Sequence, residues 1–169
     1  MSLQQFESLN VGVVARFTGK GRFQTEISVR GGRFIADEPL EAGGDGLGPT
    51  PYELLSSALA ACTVMTLKLY AGRKGWELPP FSVEVAHSVV PGGADGAPPR
   101  DRFERHIAMG NGLDPGRSHK LLEIADKCPV HRTLLRGFIV ETTVGPTSQR
   151  PTGEPPGQHE QDLEAACAD

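Results

Sequence analysis

The sequence is short of several things, and each shortage closes off a class of protein. Three Cys in 169 residues are too few for a secreted disulfide scaffold. Lys and Arg number 17 against 21 Asp and Glu, a formal charge of -4, so bulk charge gives no hold on nucleic acid or an anionic membrane. Neither is expected as a partner. The first ten residues, MSLQQFESLN, lack the basic start and apolar run of a signal peptide, and the cytoplasm is the expected compartment. The most apolar stretch, Leu54 to Leu67, is interrupted by Ser56, Ser57, Thr63 and Thr66. It is too short to span a bilayer and reads as a buried helix. No internal repeat is present.

What the chain does have is punctuation, in 21 Gly and 14 Pro. Residues 11–18, 22–30 and 33–37 read as strands separated by Gly-Lys-Gly and Gly-Gly turns. A glycine-rich stretch, EAGGDGLGPTP, leads into a helix over about 51–74, closed by Lys74-Gly75. Strands follow at 81–90 and 102–109. Asp114-Pro115 opens a second helix to about 127, a helical turn covers 130–135, and FIVETTV at 138–144 reads as a last strand. The order βββ-α-ββ-αα-β, with strands joined by hairpins, argues for an α+β fold with antiparallel sheet. Residues 1–145 form the expected domain. Residues 146–169, dense in Pro, Gly and polar groups, read as a disordered C-terminal tail with at most a helical turn at Leu163 to Cys167. Cys167 there reads as an exposed thiol.

Two phosphate-binding patterns fail on inspection. In GGDGLG, Gly44-x-Gly46 is followed by Pro49 where a dinucleotide motif needs its third Gly. Gly19-Lys20 is followed by Gly21, with no hydroxyl for magnesium. The glycine stretch is read instead as a flexible connection or a lid. Cys128-x-x-His131 is half of a zinc pattern whose other half, a second Cys-x-x-Cys or His-x-x-x-His, is missing; a site from Cys62, Cys128, His131 and one further ligand is a minority reading, a zinc-binding structural protein, and no metal is expected.

Two cysteine motifs remain. The first helix opens Thr50-Pro51-Tyr52-Glu53, a capping box with Pro at the first helical position. Leu55, Ala58, Leu59, Cys62, Thr66 and Leu69 follow at steps of three and four, placing Cys62 on an apolar face. Burial alone makes such a thiol a sluggish nucleophile, which needs a nearby cation to react. Cys128 precedes Pro129, which forces it out of helical dihedrals and makes it the N-cap of the next turn. Free backbone N–H groups there favour a thiolate, and His131 and Arg132 stand one turn away. From local physics Cys128 is the more acidic thiol.

GPTPYELLSSALAACTVMTLKLYAGRKGW, followed some fifty residues on by LLEIADKCPVHRTL, resembles the OsmC/Ohr family, named for osmotically inducible protein C and organic hydroperoxide resistance. The resemblance covers roughly residues 10–145. It implies an interwoven homodimer in which antiparallel sheets wrap long central helices, with the active sites at the interface. It also implies a thiol peroxidase that reduces organic hydroperoxides and needs no cofactor. Cys62 is then the peroxidatic cysteine, oxidised to a sulfenic acid, and Cys128 the resolving cysteine that closes a Cys62–Cys128 disulfide. A dithiol reductant, in the family often a lipoyl-bearing protein, restores both thiols.

The same resemblance implies an arginine near the first hairpin and a glutamate at the start of the central helix. Arg22 fits that arginine best, with Arg16 and Arg33 as rivals. In the hydroperoxide-resistance branch the glutamate stands ten residues before the cysteine, and Tyr52 occupies that position here. Glu53 is one residue later, about 100° further round the helix. This departure keeps a second reading open, an OsmC-fold small-molecule-binding or redox stress protein without efficient peroxidase turnover. Phe17, Leu55 and Met65 are candidate linings of an alkyl channel, and core packing explains them equally well. Tyr70 and Trp76 read as packing. His87, His106 and His119 carry no pattern and read as strand or helix-surface residues.

Overall fold

The computed structural model describes residues 12–93, 96–145 and 157–168. The chain forms two compact units, Met1–Leu54 with Ile139–Gln158, and Leu55–Phe138 with His159–Asp169.

The first unit is built on an antiparallel meander of β1 (Val14–Phe17), β2 (Thr25–Val29) and β3 (Gly32–Ala36). The register pairs Val29 with Gly32, leaving Arg30-Gly31 as a two-residue turn. Gly31 sits at φ +85°, a conformation such a turn requires and a side chain resists. Past β3 the glycine-rich stretch is neither a free connection nor a lid. Asp37 is buried, and its carboxylate accepts the N–H groups of Glu38, Asp45 and Leu47 at 2.9, 3.1 and 3.3 Å. A side chain at Gly44 would strike the Glu38 carbonyl, and one at Gly48 the Ile35 carbonyl. Close backbone packing, not mobility, explains these glycines.

Helix α1 (Pro51–Arg73) starts as the sequence predicts. Thr50 Oγ1 accepts the Glu53 N–H at 3.2 Å, and Glu53 Oε2 accepts the Thr50 N–H at 2.7 Å. It ends in a Schellman motif: Gly75 at φ +64°, Gly75 N–H to the Gly72 carbonyl and Trp76 N–H to the Ala71 carbonyl. The buried residues are Ser56, Leu59, Cys62, Thr63, Thr66, Leu67, Tyr70 and Ala71. The expected stripe is thus displaced near its start, where Leu55 is 45% exposed. At 23 residues α1 is also longer than the Leu54–Leu67 run and, by length and composition alone, long and apolar enough to cross a membrane. Its buried face packs in the protein core.

In the second unit β4 (Phe81–Val90) and β5 (Arg100–Met109) form a two-stranded antiparallel sheet, from Phe81 opposite Met109 to Val90 opposite Arg100. Phe81, Val83, Val85 and His87 on β4, and Phe103, Arg105, Ile107 and Met109 on β5, share the less exposed phase of the pleat. His87 thus sits on a strand, as expected; its ring lies 4.9 Å from that of Phe103, and Nε2 is 2.8 Å from Asp101 Oδ1. Helix α2 (Pro115–Asp126) is N-capped by Asp114, which accepts the Arg117 N–H at 3.0 Å. Helix α3 (Pro129–Arg136) follows at once with Cys128 as its N-cap, and α4 (Gln158–Ala166) completes the unit. Leu67, Tyr70, Leu121, Ile124, Ala125 and Cys167 form one core cluster. Leu59, Cys62, Cys128 and Leu163 form the other.

Two differences from the sequence reading concern the C-terminal third. Residues 138–144 form no strand; Ile139, Val140 and Val144 are 90%, 75% and 101% exposed. A strand exists only against a neighbouring edge, and FIVETTV pairs with none among the described residues. Conversely, α4 stands where no ordered helix is expected. Leu163, Ala166 and Cys167, at steps of three and four, are buried on one face of it. Cys167 is accordingly a core thiol, its Sγ 3.7 Å from the Thr66 carbonyl, and not an exposed one. Residues 146–156 of the tail lie outside the described residues.

Candidate active site

The second unit brings two thiols together. Cys62 projects from the middle of α1. Cys128 stands at the junction of α2 and α3, where its N–H still bonds the Ala125 carbonyl at 3.2 Å and its own carbonyl receives the Arg132 N–H at 3.0 Å. Pro129 accounts for the break: Cys128 adopts φ -49°, ψ 128°, outside the helical region, as a residue before proline does. That bend places its sulfur at the N-terminus of α3.

The two Sγ atoms are 2.8 Å apart, both cysteines are free, and they are only 3% and 0% exposed. Sulfurs this close in a dry site share one proton, and their surroundings decide which ionises. As a thiolate, Cys128 accepts the Cys62 S–H. It is further supported by the His131 N–H, the Thr63 hydroxyl and the Val130 N–H, which together outweigh burial and bring its pKa to about 5. Cys62, holding the shared proton and desolvated, is pushed far above the usual thiol range; the Val130 N–H and the Thr66 hydroxyl relieve this only in part. The N-cap argument from sequence thus holds in its direction. The helpful neighbours are the backbone amides of α3 rather than the His131 and Arg132 side chains. His131 Nε2 points to Asp126 Oδ1 at 3.9 Å, and Arg132 is exposed.

Leu59, Leu163, Val130, Leu134, Val85 and Phe103 wall the pair with apolar surface. Among the described residues no group of three or more His, Cys, Asp and Glu is placed to hold a metal ion.

The arginine and glutamate candidates belong to the first unit. The Arg22 guanidinium lies 5.0 Å over the Phe23 ring, and its Nη1 stands beside Gly43. Of its rivals, Arg33 pairs with Glu26 at 3.8 Å, and Arg16 is exposed on β1. Glu53 is exposed, and its carboxyl is held below the usual range first by the Thr50 N–H and then by the Thr50 hydroxyl.

Sequence reasoning missed Arg105. From β5 its Nη1 donates to Thr63 Oγ1 at 3.2 Å and to the Ala125 carbonyl at 2.9 Å, while Nη2 meets Asp126 Oδ1 at 2.7 Å. The signal was available: in DRFERHIAM, Arg105 falls in the same alternate phase as Phe103 and Ile107, an arginine where a strand faces its core.

Fold and site together define an α+β protein carrying a buried, vicinal dithiol at a helix N-terminus. A family profile described as OsmC-like protein matches residues 43–143, and the chain belongs to the OsmC-like family. Among solved structures, a Psychrobacter arcticus protein described as osmotic-stress-induced and part of a detoxification response is similar at 22% identity. The match covers 72% of this chain and 85% of that one, with a TM-score of 0.59. The organic hydroperoxide resistance protein OhrB of Bacillus subtilis is 23% identical over 73% of this chain and 88% of its own, with a TM-score of 0.54. An OsmC-like protein of unknown function from Vibrio cholerae is 10% identical over 73% and 92%, with a TM-score of 0.55. At these identities the likeness is one of fold. No curated protein sequence matches the chain.

Proposed function

We propose that the chain is a thiol-dependent organic hydroperoxide reductase, and the observation that carries this is the 2.8 Å approach of two free, buried sulfurs at the N-terminus of α3. The shared proton first passes from Cys62 to Cys128 along the 2.8 Å contact, and the Cys62 thiolate so formed attacks the terminal oxygen of R–O–O–H. An S–O bond forms, the O–O bond breaks, and the leaving alkoxide takes that proton to become the alcohol. Cys62 is left as a sulfenic acid. The Cys128 thiolate then attacks the Cys62 sulfur; the S–S bond forms and hydroxide leaves, taking a proton to become water. In sum two thiols and one hydroperoxide give one disulfide, one alcohol and one water.

The low pKa of Cys128 suits both ends of this cycle. It supplies a thiolate for resolution at neutral pH, and it makes Cys128 the better leaving group when a reductant opens the disulfide by attacking the Cys62 sulfur. That reductant is a dithiol, a lipoyl-bearing protein being one such source. The apolar wall around the pair favours an alkyl hydroperoxide over a small polar one. Arg22 and Glu53 are assigned supporting roles at Cys62 by resemblance, in a homodimer of the cytoplasm whose second copy covers exposed apolar residues such as Leu55, Met65 and Phe138 to Val140.

One observation favours a second reading. The glutamate nearest the family position, Glu53, is committed to the capping box. A site without that carboxylate would bind an apolar or electrophilic small molecule and turn peroxide over poorly. Intact mass and a peptide map after one equivalent of cumene hydroperoxide decide between them. Loss of two hydrogens with Cys62 linked to Cys128 within seconds is the expected result. Unchanged mass with the thiols still titratable would leave the binding reading.

A further inference from the structure

Arg105 stands apart from every group that the peroxidase reading uses. It is an arginine in the core-facing phase of β5, its side chain 13% exposed, and its guanidinium is shared among three acceptors. Those acceptors are not scattered. Thr63 follows Cys62 in the chain. Ala125 and Asp126 form the last turn of α2, three and two residues before Cys128. One planar fork therefore ties the helix that carries one thiol to the helix end that presents the other.

We propose that Arg105 is a positioning residue for the dithiol, holding Cys62 and Cys128 at bonding approach by cross-linking Thr63 on α1 to Ala125 and Asp126 at the end of α2. This rests on the reading of the pair as redox-active, but not on peroxide being its oxidant. The residue acts through geometry. Its charge is met by Asp126, and neither sulfur is among its hydrogen-bond partners. Without the fork, α1 and the α2–α3 junction are joined near the sulfurs by apolar contacts, which fill space without fixing a distance, and by the bonds that the two thiols themselves make with each other, with Thr63 and with the Val130 N–H. The expected loss is one of effective concentration of each thiol for the other. A lysine cannot replace it, because one ammonium on a flexible stem does not reproduce the fork's geometry.

The test is the equilibrium between the reduced pair and glutathione disulfide in the full-length chain. Two thiols and one glutathione disulfide give the Cys62–Cys128 disulfide and two glutathiones, read by acid-quenched intact mass and a peptide map. Arg105→Gln and Arg105→Lys are expected to lower that constant about tenfold or more, a rise of about 30 mV in the two-electron potential for each tenfold. Asp126→Ala removes one exposed anchor and is expected to lower it two- to threefold. A merely structural arginine would lower the melting temperature and leave the constant alone. Constants within the error of the wild-type value in the folded arginine variants overturn the proposal; should those variants not fold, an unchanged constant in Asp126→Ala does so.

The two readings fail separately. If glutathione closes the Cys62–Cys128 disulfide but hydroperoxide never does, the peroxidase reading falls and Arg105 keeps its assignment. If hydroperoxide closes it equally well with and without the arginine, the reverse holds.

Discussion

Arg73 holds Glu164 twice: Nη1 donates to its carbonyl at 3.0 Å, and Nη2 lies 3.4 Å from its carboxylate. The contact joins the last turn of α1 to α4, one residue after Leu163 enters the cluster around Cys62 and Cys128. The C-terminal helix is thus part of the wall that keeps the dithiol dry.

Removing residues 158–169 should therefore expose the pair. The shortened chain is expected to react several-fold faster with a bulky maleimide at Cys62 and Cys128, while a small alkylating agent shows a lesser gain. Leu163→Ala should give the same direction and cost about 2–3 kcal/mol of stability. Equal maleimide rates with and without α4 would mean that the helix does not guard the site.

The acidity of Cys128 is open to direct titration. A thiolate absorbance near 240 nm should appear as pH rises through about 5 in the reduced protein. It should shift upward in Cys62→Ser, where a serine hydroxyl replaces the S–H that the thiolate accepts. Linkage gives the sign for stability. Because the folded pKa of Cys128 lies below the ordinary thiol value of about 8.5, its contribution is complete above that value and is lost as pH falls toward about 5. Cys62 is shifted the other way, so its contribution is complete at low pH and is lost as pH rises above about 8.5. No thiolate signal below pH 7 would contradict the geometry described.

Glu53 separates two roles by chemistry. Glu53→Gln preserves an acceptor for the Thr50 N–H, so the helix start should persist and the melting temperature should barely move. Thr50→Ala removes the N-cap hydroxyl and should cost about 1 kcal/mol. A collapse of peroxide turnover in Glu53→Gln at unchanged stability would show that the carboxylate serves the reaction as well as the helix.

Gly48 gives a test of the loop that follows β3. Gly48→Ala would drive a methyl group into the Ile35 carbonyl and should destabilise the protein by about 2 kcal/mol or more, seen in chemical denaturation. A neutral substitution would mean that the loop yields easily.

Much of the architecture could be read from the residues, because the signals were local. Phe81 to Val90 alternates cleanly and forms β4 over the residues expected. Thr50, Pro51 and Glu53 mark the start of α1, Gly75 its end, and Pro129 isolates Cys128 as an N-cap. What escaped depends on partners remote in sequence. Residues 138–144 have strand chemistry, but strand geometry needs an edge supplied by something else. Helix α4 is short and mostly polar, and it is held through Leu163 and Cys167, whose cluster partners all lie in earlier elements, as far back as Leu59 and Leu67 on α1. Arg105 has all of its acceptors twenty or more residues distant, so only its phase on the strand betrayed it.

A single pyrrolidine ring at position 129 has a reach out of proportion to its size. With an ordinary residue there, α2 and α3 would be free to run on as one rod, sweeping the sulfur of Cys128 round with the helical screw. The ring stops the rod and makes a corner of it, and at a corner unspent amides from the new helix gather beside the thiol. The acidity of that sulfur is therefore written in its neighbour: a steric veto on one backbone torsion becomes an electrostatic property of the next side chain back.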